Sequence, residues 1–340
     1  MKKIAVYILL FFVIISCNNK VENVERAFYY WKSGGYSLNQ EQNIILDTTK
    51  IKKLYVKFFE VEHNDLMGNI PFSKNRMRFY NEKIEIVPTI YIKNDVFLKS
   101  SHEQLDQLAD NINFLILKFI DEEINKEIPV KEFQMDCDWT IKSKDNYFYF
   151  LKKIKEISKK EISCTLRLYP YKYRKKMGVP PVDRATLMCY NLLNPLESKK
   201  QNSILDVDEL SKYLNVSSKY PLHLDVALPI YSWMQIYQNN QFQGVIYNDL
   251  EYLKGKMKTI EPHWYEMTDD VEIDNHYLRI GDKIKFEEIN KQTIDKAIQV
   301  LKKNIKFDNT TTITLFHLDD SQLKKYSYEE ISSFYTSFSK

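Results

Sequence analysis

The chain has 340 residues with a formal net charge of +3, and 28% of its residues are charged. This length accommodates one large domain or two ordinary ones, and the near-neutral balance lacks the basic surplus that nucleic-acid binding requires. The four cysteines show no CxxC spacing, which argues against a zinc site.

The chain opens with Met1-Lys2-Lys3, a short basic region, followed by the apolar run "IAVYILLFFVII". That run is short of the roughly 20 residues needed to span a bilayer. It has the form of a secretory signal closed by Ser16-Cys17. "IISC" resembles a bacterial lipobox, so residues 1–16 are expected to be a signal peptide and Cys17 a lipidated N-terminus. Residues 17–25 are then a polar tether, and the remainder, 26–340, is the folded domain. A lipid anchor at Cys17 implies membrane attachment in the cell envelope, with the outer membrane expected and its face left open. The other cysteines, Cys137, Cys164 and Cys189, lie in apolar runs and read as buried thiols; a Cys137–Cys164 bridge between neighbouring strands is the alternative.

Beyond the tether, strand-like runs alternate with helical patterns. "RAFYYWKS", "KKLYVKFFEVE" and "IEIVPTIYI" precede an amphipathic helix, "LDQLADNINFLILKFIDEEIN". "EFQMDCDWT" is followed by the helix "NYFYFLKKIKEISKK", then "EISCTLRLYPY" and "ATLMCYNLL". A helix around "DVDELSKYLNVSS" leads to "PLHLDVALPIY", and helix "NKQTIDKAIQVLKKN" precedes the last strand, "TTITLFHLDD". "SYEEISSFYTSF" closes the chain as a helix. Eight strands separated mostly by helices predict an α/β fold, a (β/α)₈ TIM barrel. The alternative, an open doubly wound sheet, lacks a Gly-rich phosphate loop after any strand. Residues 233–290 break the rhythm with extended segments and turn centres at Asn239-Asn240 and Arg279–Asp282. They predict a β-hairpin insertion between strand 7 and helix 7, on the face where barrel active sites are built.

Inward residues at the C-terminal ends of barrel strands converge on one pocket. Those ends supply Trp31 and Lys32, Glu60 and Glu62, Asp136, Asp138 and Trp139, and Arg167 and Tyr169. Later strands add Tyr190 and Asn191, Asp225, Tyr231 and Trp233, and His317, Asp319 and Asp320. Aromatic rings stack on sugar faces and carboxylates accept hydroxyl hydrogen bonds, so this set suits a polyhydroxylated ligand. Asp136 and Asp138 share one strand face while Met135 and Cys137 point the other way. An inward acidic pair is costly unless it serves a ligand or is satisfied by a partner such as Arg167. Tyr190 and Tyr231 fit either core filling or ligand contact, and Trp139 and Trp233 fit stacking. One histidine with two carboxylates at positions 317–320 is a weak metal signal, and no metal or cofactor is called for.

"FQMDCDWT" resembles the fourth-strand DGxDxDWE motif of glycoside hydrolase family 18, the chitinase-type barrels. "LMCYN" resembles that family's sixth-strand MxYD, and "ALPIYSW" its seventh-strand segment with a following tryptophan. The three occur in the family's order. The resemblance places Asp136 and Asp138 on the two later aspartates of the motif and Trp139 on its tryptophan. Phe133-Gln134 replaces Asp-Gly, Asn191 replaces the aspartate of MxYD, and Thr140 stands where the family has its catalytic glutamic acid. That acid protonates the leaving oxygen while the substrate's own acetamido group attacks. A threonine hydroxyl does not replace a tuned acid.

Two routes to catalysis remain. In one, Asp138 is the acid, its pKa raised by Asp136. In the other, Glu60 or Asp225 forms a carboxylate pair with Asp138. The expectation is therefore a lipid-anchored barrel acting on or binding a glycan. Asp138, Asp136 and Glu60 are the catalytic candidates, and Trp31, Trp139, Arg167, Tyr190, Asn191, Asp225, Tyr231 and Trp233 are the ligand contacts. The alternatives are a carbohydrate-binding pseudoenzyme and a structural or partner-binding envelope lipoprotein.

Overall fold

The computed structural model describes residues 21–32, 37–75, 78–197, 200–247, 250–274 and 276–339. The signal segment, Cys17 and the first part of the tether lie outside the described residues. Eight parallel strands close into a barrel: β1 (Asn23–Tyr30), β2 (Lys53–Asn64), β3 (Glu85–Ile92), β4 (Glu132–Asp136), β5 (Glu161–Arg167), β6 (Arg184–Met188), β7 (His223–Pro229) and β8 (Thr310–Phe316). Each pairs with the next in sequence, and β1 pairs with both β2 and β8, so this barrel has no open edge. β1 starts at Asn23, within the stretch read as tether. Asn23, Val24 and Glu25 pair with Thr310, Thr311 and Thr312, and Glu25 receives a hydrogen bond from Thr312 Oγ1 at 2.8 Å. The polar sequence "VENVE" reads as unstructured, but Glu25 turns inward at the N-terminal end of the barrel and pairs with Lys53 at 3.0 Å.

The helices α1 (Gln40–Thr48), α2 (His102–Glu123), α3 (Lys144–Ser158), α4 (Val207–Leu214), α5 (Lys291–Asn304) and α6 (Tyr328–Thr336) surround the strands, with short helical turns between them. α1, α2 and α6 each begin with a capping box, at Asn39/Gln42, Ser101/Gln104 and Ser327/Glu330. The β2–β3 crossover carries no helix among its described residues. β2 instead overshoots the barrel and folds back through an antiparallel arm, Gly68–Phe72.

The predicted insertion is larger than one or two hairpins. Between β7 and α5 it forms a five-stranded antiparallel sheet and a separate two-stranded ribbon, with its own apolar cluster around Met234, Ile236, Met267 and Ile284. Asn239 and Asn240 both adopt positive φ, 51° and 61°, between strands that pair Gln238 with Gln241. That is the geometry of a tight primed hairpin turn, which asparagine tolerates. The second turn centre is at Gly281, φ 87°.

The barrel interior is polar along much of its length. Contacts that cross between non-neighbouring strands identify the inward side chains. Tyr29 Oη on β1 donates to Gln134 Oε1 on β4 at 2.8 Å, and Gln134 Nε2 donates to Thr186 Oγ1 on β6 at 3.1 Å. Nearer the N-terminal end, Lys53 meets Glu25 at 3.0 Å and Glu132 at 3.3 Å. Arg184 meets Glu132 at 3.9 Å and Asp225 at 3.5 Å, and Asp225 also pairs with His223 at 3.1 Å. Cys137, Cys164 and Cys189 are buried free thiols, so the Cys137–Cys164 bridge is not formed.

Asp225 is fully buried, and its Oδ1 also accepts the Thr312 backbone N–H at 2.7 Å. Removing one partner from a buried ion pair leaves an uncompensated charge. Asp225→Asn should therefore lower the free energy of unfolding by about 3 kcal/mol. Urea denaturation should show the loss, while ligand binding by the folded fraction stays unchanged.

Candidate functional site

The sequence-derived candidates separate into a group that converges at the C-terminal mouth and three residues that do not. β4 ends at Asp136, which faces inward and is only 7% exposed, and Asp138 follows on the same side at the rim. Thr165 on β5 donates its hydroxyl to Asp136 Oδ1 at 2.6 Å. Two residues further along β5, Arg167 grips Asp138 through two parallel bonds, Nε to Oδ1 at 2.5 Å and Nη2 to Oδ2 at 2.9 Å. Strand alternation produces both contacts, because positions 136, 138, 165 and 167 all face the same interior.

Glu60 reaches this interior through a bulge. On β2, Lys57 pairs with Thr89 but Phe59 pairs with Ile90, so Phe58 is an extra residue in the ladder. The extra residue resets the alternation, and Glu60 joins Lys57 on the inward face, where the two form an ion pair at 2.6 Å. Tyr190 is buried beside Phe316 at 5.0 Å between ring centroids. Tyr231 donates its hydroxyl to Asn191 Oδ1 at 2.6 Å, with Asn191 at φ 52°, a conformation asparagine tolerates. Trp31 on the β1 side lies 6.0 Å from Phe316, with the Lys57 ammonium 5.6 Å from its ring.

Asp225 and Trp233 lie elsewhere, and Trp139 packs mostly away from the mouth, meeting it only in the wall of a side cavity. β7 begins at His223, so Asp225 sits in the N-terminal half of the barrel and is held by Arg184 and His223. The sequence reading placed it at the mouth because "PLHLDVALPIY" carries no mark of where its pairing starts. Trp139 turns outward and packs on α3, 5.2 Å from Phe148 and 6.2 Å from Tyr147, with 5% of its surface exposed. Trp233 donates Nε1–H to Glu287 Oε2 at 2.6 Å, within a buried cluster that also contains Lys285, Gln235 and Ser203. This cluster ties the insertion sheet to the loop after β6.

The electrostatics distinguish the two aspartates. Burial pushes the Asp136 carboxyl up to about 6, with the neighbouring Asp138 and Glu60 charges adding to the rise; Thr165 and Arg167 oppose it. Tyr91 on β3 is the residue the sequence reading missed here. Burial and the charges of Asp138 and Asp136 hold its hydroxyl up at about 12. Its signal was present in the inward alternation of "IEIVPTIYI". Most of the other mouth carboxylates have a cation: Asp138 has Arg167, Glu60 has Lys57, Glu62 has Lys93 at 2.7 Å, and Asp319 has Lys32 at 3.2 Å, while Asp320 accepts from Asn39. Thr140, at the position of the resembled family's acid, is exposed and caps the approach to α3, where its backbone N–H donates to Ser143 Oγ at 2.9 Å.

Two cavities open on this face. One of about 400 Å³ lies at the β4–β5 side and is lined by Asp138, Trp139, Thr140, Arg167, Tyr169 and Met177. The other, about 650 Å³, lies at the β8–β1 side, with Trp31, Phe316, His317 and Tyr247 in its walls. β1 and β5 are opposite one another in an eight-stranded barrel, so the cavities lie on opposite sides of the mouth. Among the described residues, no cluster of three or more His, Cys, Asp or Glu side chains has metal-binding geometry.

No family model matches the chain, and no curated protein matches it. Its fold is similar to that of the spore cortex-lytic enzyme SleL of Bacillus cereus, at 11% identity and a TM-score of 0.54, over 93% of this chain and 75% of that one. It is also similar to the chitinase-like agglutinin of Robinia pseudoacacia, at 11% identity and a TM-score of 0.51, over 90% of this chain and 99% of that one. The resemblance carried by "FQMDCDWT", "LMCYN" and "ALPIYSW" is thus matched at the level of the fold by chitinase-like barrels.

A raised carboxyl pKa favours the protonated group in the folded state. For Asp136 this contribution is fully present below pH about 4 and is lost as the pH rises through about 6. The difference amounts to about 3 kcal/mol of stability between those limits. Asp136→Asn should flatten that segment of the stability curve. Carboxyl-carbon NMR of the wild type should show one aspartate titrating near pH 6, and it should move lower in Asp138→Asn.

Proposed function

We propose that the chain is a glycan-binding barrel of the cell envelope that holds an oligosaccharide across its C-terminal mouth without the acetamido-assisted cleavage of family 18. The observation that carries this reading is the state of the mouth carboxylates. Asp138, the aspartate nearest the missing acid, is closed in a bidentate pair with Arg167, and the acid position itself is Thr140. Aromatic walls and fixed hydrogen-bonding groups remain, which suit binding. The fold supports this reading, because one similar barrel is an agglutinin and another a lytic enzyme.

One observation favours hydrolysis as a second reading. Asp136 has a carboxyl pushed up to about 6, the range of a general acid. This reverses the roles expected from sequence, with Asp136 as proton donor and Asp138 as its electrostatic neighbour. A panel of soluble glycans separates the readings. For the binding role, calorimetry should detect association with wild type and about tenfold or greater weakening in Asp138→Asn, with no new reducing ends released. Hydrolysis by wild type that disappears in Asp136→Asn would establish the enzyme instead.

Anchoring through lipid on Cys17 completes the proposal. β1 enters the barrel at its N-terminal end shortly after Cys17. An anchor there turns the charged barrel floor toward the bilayer and the mouth away from it. Among the described residues, no helix is long and apolar enough to cross a membrane. Labelling of cells with radioactive palmitate should mark the wild type and fail to mark Cys17→Ala, and that variant should move to the soluble fraction.

A further inference from the structure

The larger cavity, between the ends of β8 and β1, contains neither aspartate of the "DCD" motif. Its polar side chains are mostly committed to one another. Asp319 Oδ2 pairs with Lys32 at 3.2 Å, and its Oδ1 accepts the Ser321 backbone N–H at 3.0 Å. Asn39 caps α1 through Oδ1 and donates Nδ2 to Asp320 at 2.6 Å. Gln322 Oε1 accepts the Ser232 backbone N–H at 2.9 Å.

His317 is the exception. Neither of its ring nitrogens bonds to a described residue, and Nδ1 is shielded from solvent with no partner. The ring as a whole is half-buried in the cavity wall, which leaves Nε2 as its open nitrogen. Burial lowers the imidazole pKa to about 4, against the pull of Asp319, so the ring is already neutral at mildly acidic pH. A neutral imidazole carries one proton. An enclosed N–H without an acceptor is the rarer and costlier arrangement, so the proton belongs on Nε2, facing the cavity.

The walls supply the complementary apolar surface. Trp31 is held edge-on by Tyr29 at 6.0 Å, and Tyr247, 50% exposed, leans on Tyr231 and Trp233, each at 6.2 Å. Among the described lining residues, Lys32 and Asp319 neutralise each other and His317 is uncharged, so these side chains leave no spare formal charge to receive an ion.

We propose that this cavity is a subsite for one uncharged sugar ring, which packs against Trp31 and Tyr247 and accepts a hydrogen bond from His317 Nε2–H through a ring hydroxyl. The assignment rests on the glycan-binding reading and deepens it. It names the charge class of the ligand and places an anchoring group on the opposite side of the mouth from Arg167.

The test uses the tetrasaccharide of β-1,4-linked N-acetylglucosamine and its de-N-acetylated, cationic counterpart, titrated calorimetrically at mildly acidic pH. The neutral probe should bind wild type at least about tenfold more tightly than the cationic one. His317→Phe keeps an aromatic ring but removes the donor, and it should lose about tenfold in affinity. His317→Gln keeps a donor and should retain most of the affinity. Tyr247→Ala, at a half-exposed position, should weaken binding with the thermal transition unchanged, so the assignment does not depend on one buried substitution. In histidine-selective nitrogen NMR, the His317 Nε2 resonance should shift on addition of the neutral probe. Binding that is weakened by Asp138→Asn but untouched by His317→Phe and Tyr247→Ala would overturn the subsite and leave the glycan reading standing. Equal affinity for the two probes would overturn the uncharged class. Failure of wild type to bind either probe or any neutral glycan of the panel would remove the glycan reading and this subsite together.

Discussion

The barrel is closed around charge. Lys53, Glu132, Arg184 and Asp225 project from four different strands into the interior near the strand starts, and each is held by a partner from another strand. TIM-barrel interiors are dominated by branched apolar side chains. A floor of ions stabilises less per residue than such packing, because desolvation offsets much of the attraction. It does impose a geometric condition, since every member must find its counter-ion for the barrel to close. That condition fixes the relative register of β2, β4, β6 and β7, and so fixes which residues emerge at the opposite end.

The mouth inherits its pattern from that register. Above the ionic floor, Tyr29, Gln134, Ser163 and Thr186 form a hydroxyl and amide layer, and above that come Asp136, Thr165 and Arg167. The bulge at Phe58 is the one place where the alternation is deliberately broken, and it moves Glu60 and its partner Lys57 to the same face. The result is a mouth in which Asp138, Glu60, Glu62 and Asp319 are each matched by a cation around a buried, weakly acidic aspartate.

Much of the architecture was legible because helices and buried strands write periodic patterns into sequence. α2, α3 and α5 announce themselves at helical spacing, and all eight strands were found within a few residues of their ends. The insertion was recognised by its turn residues, although its five-stranded sheet was not, since short antiparallel strands exposed on one face have weak periodicity. The site was harder. Asp136, Asp138 and Arg167 are two apart or sit at strand ends, so alternation alone brought them together. Asp225 obeys the same alternation, but height along a strand depends on where pairing begins, and only the register reveals that. Trp139 was misread for a related reason. β4 stops pairing at Asp136, and the chain past it turns so that the indole packs on Phe148 of α3 and reaches the mouth only in the wall of the smaller cavity.

The same turn bears on what Thr140 means. In this mouth Asp138 is occupied by Arg167, and Thr140 is drawn into the Ser143 cap that starts α3. The neighbourhood accommodates threonine: its hydroxyl lies 3.2 Å from Ser143 Oγ just before α3, and the guanidinium compensates the aspartate. Placing a glutamate at position 140 would therefore set a second carboxylate beside Asp138 and compete for Arg167. A single substitution does not create an acid poised for proton transfer here, because Arg167 already compensates Asp138.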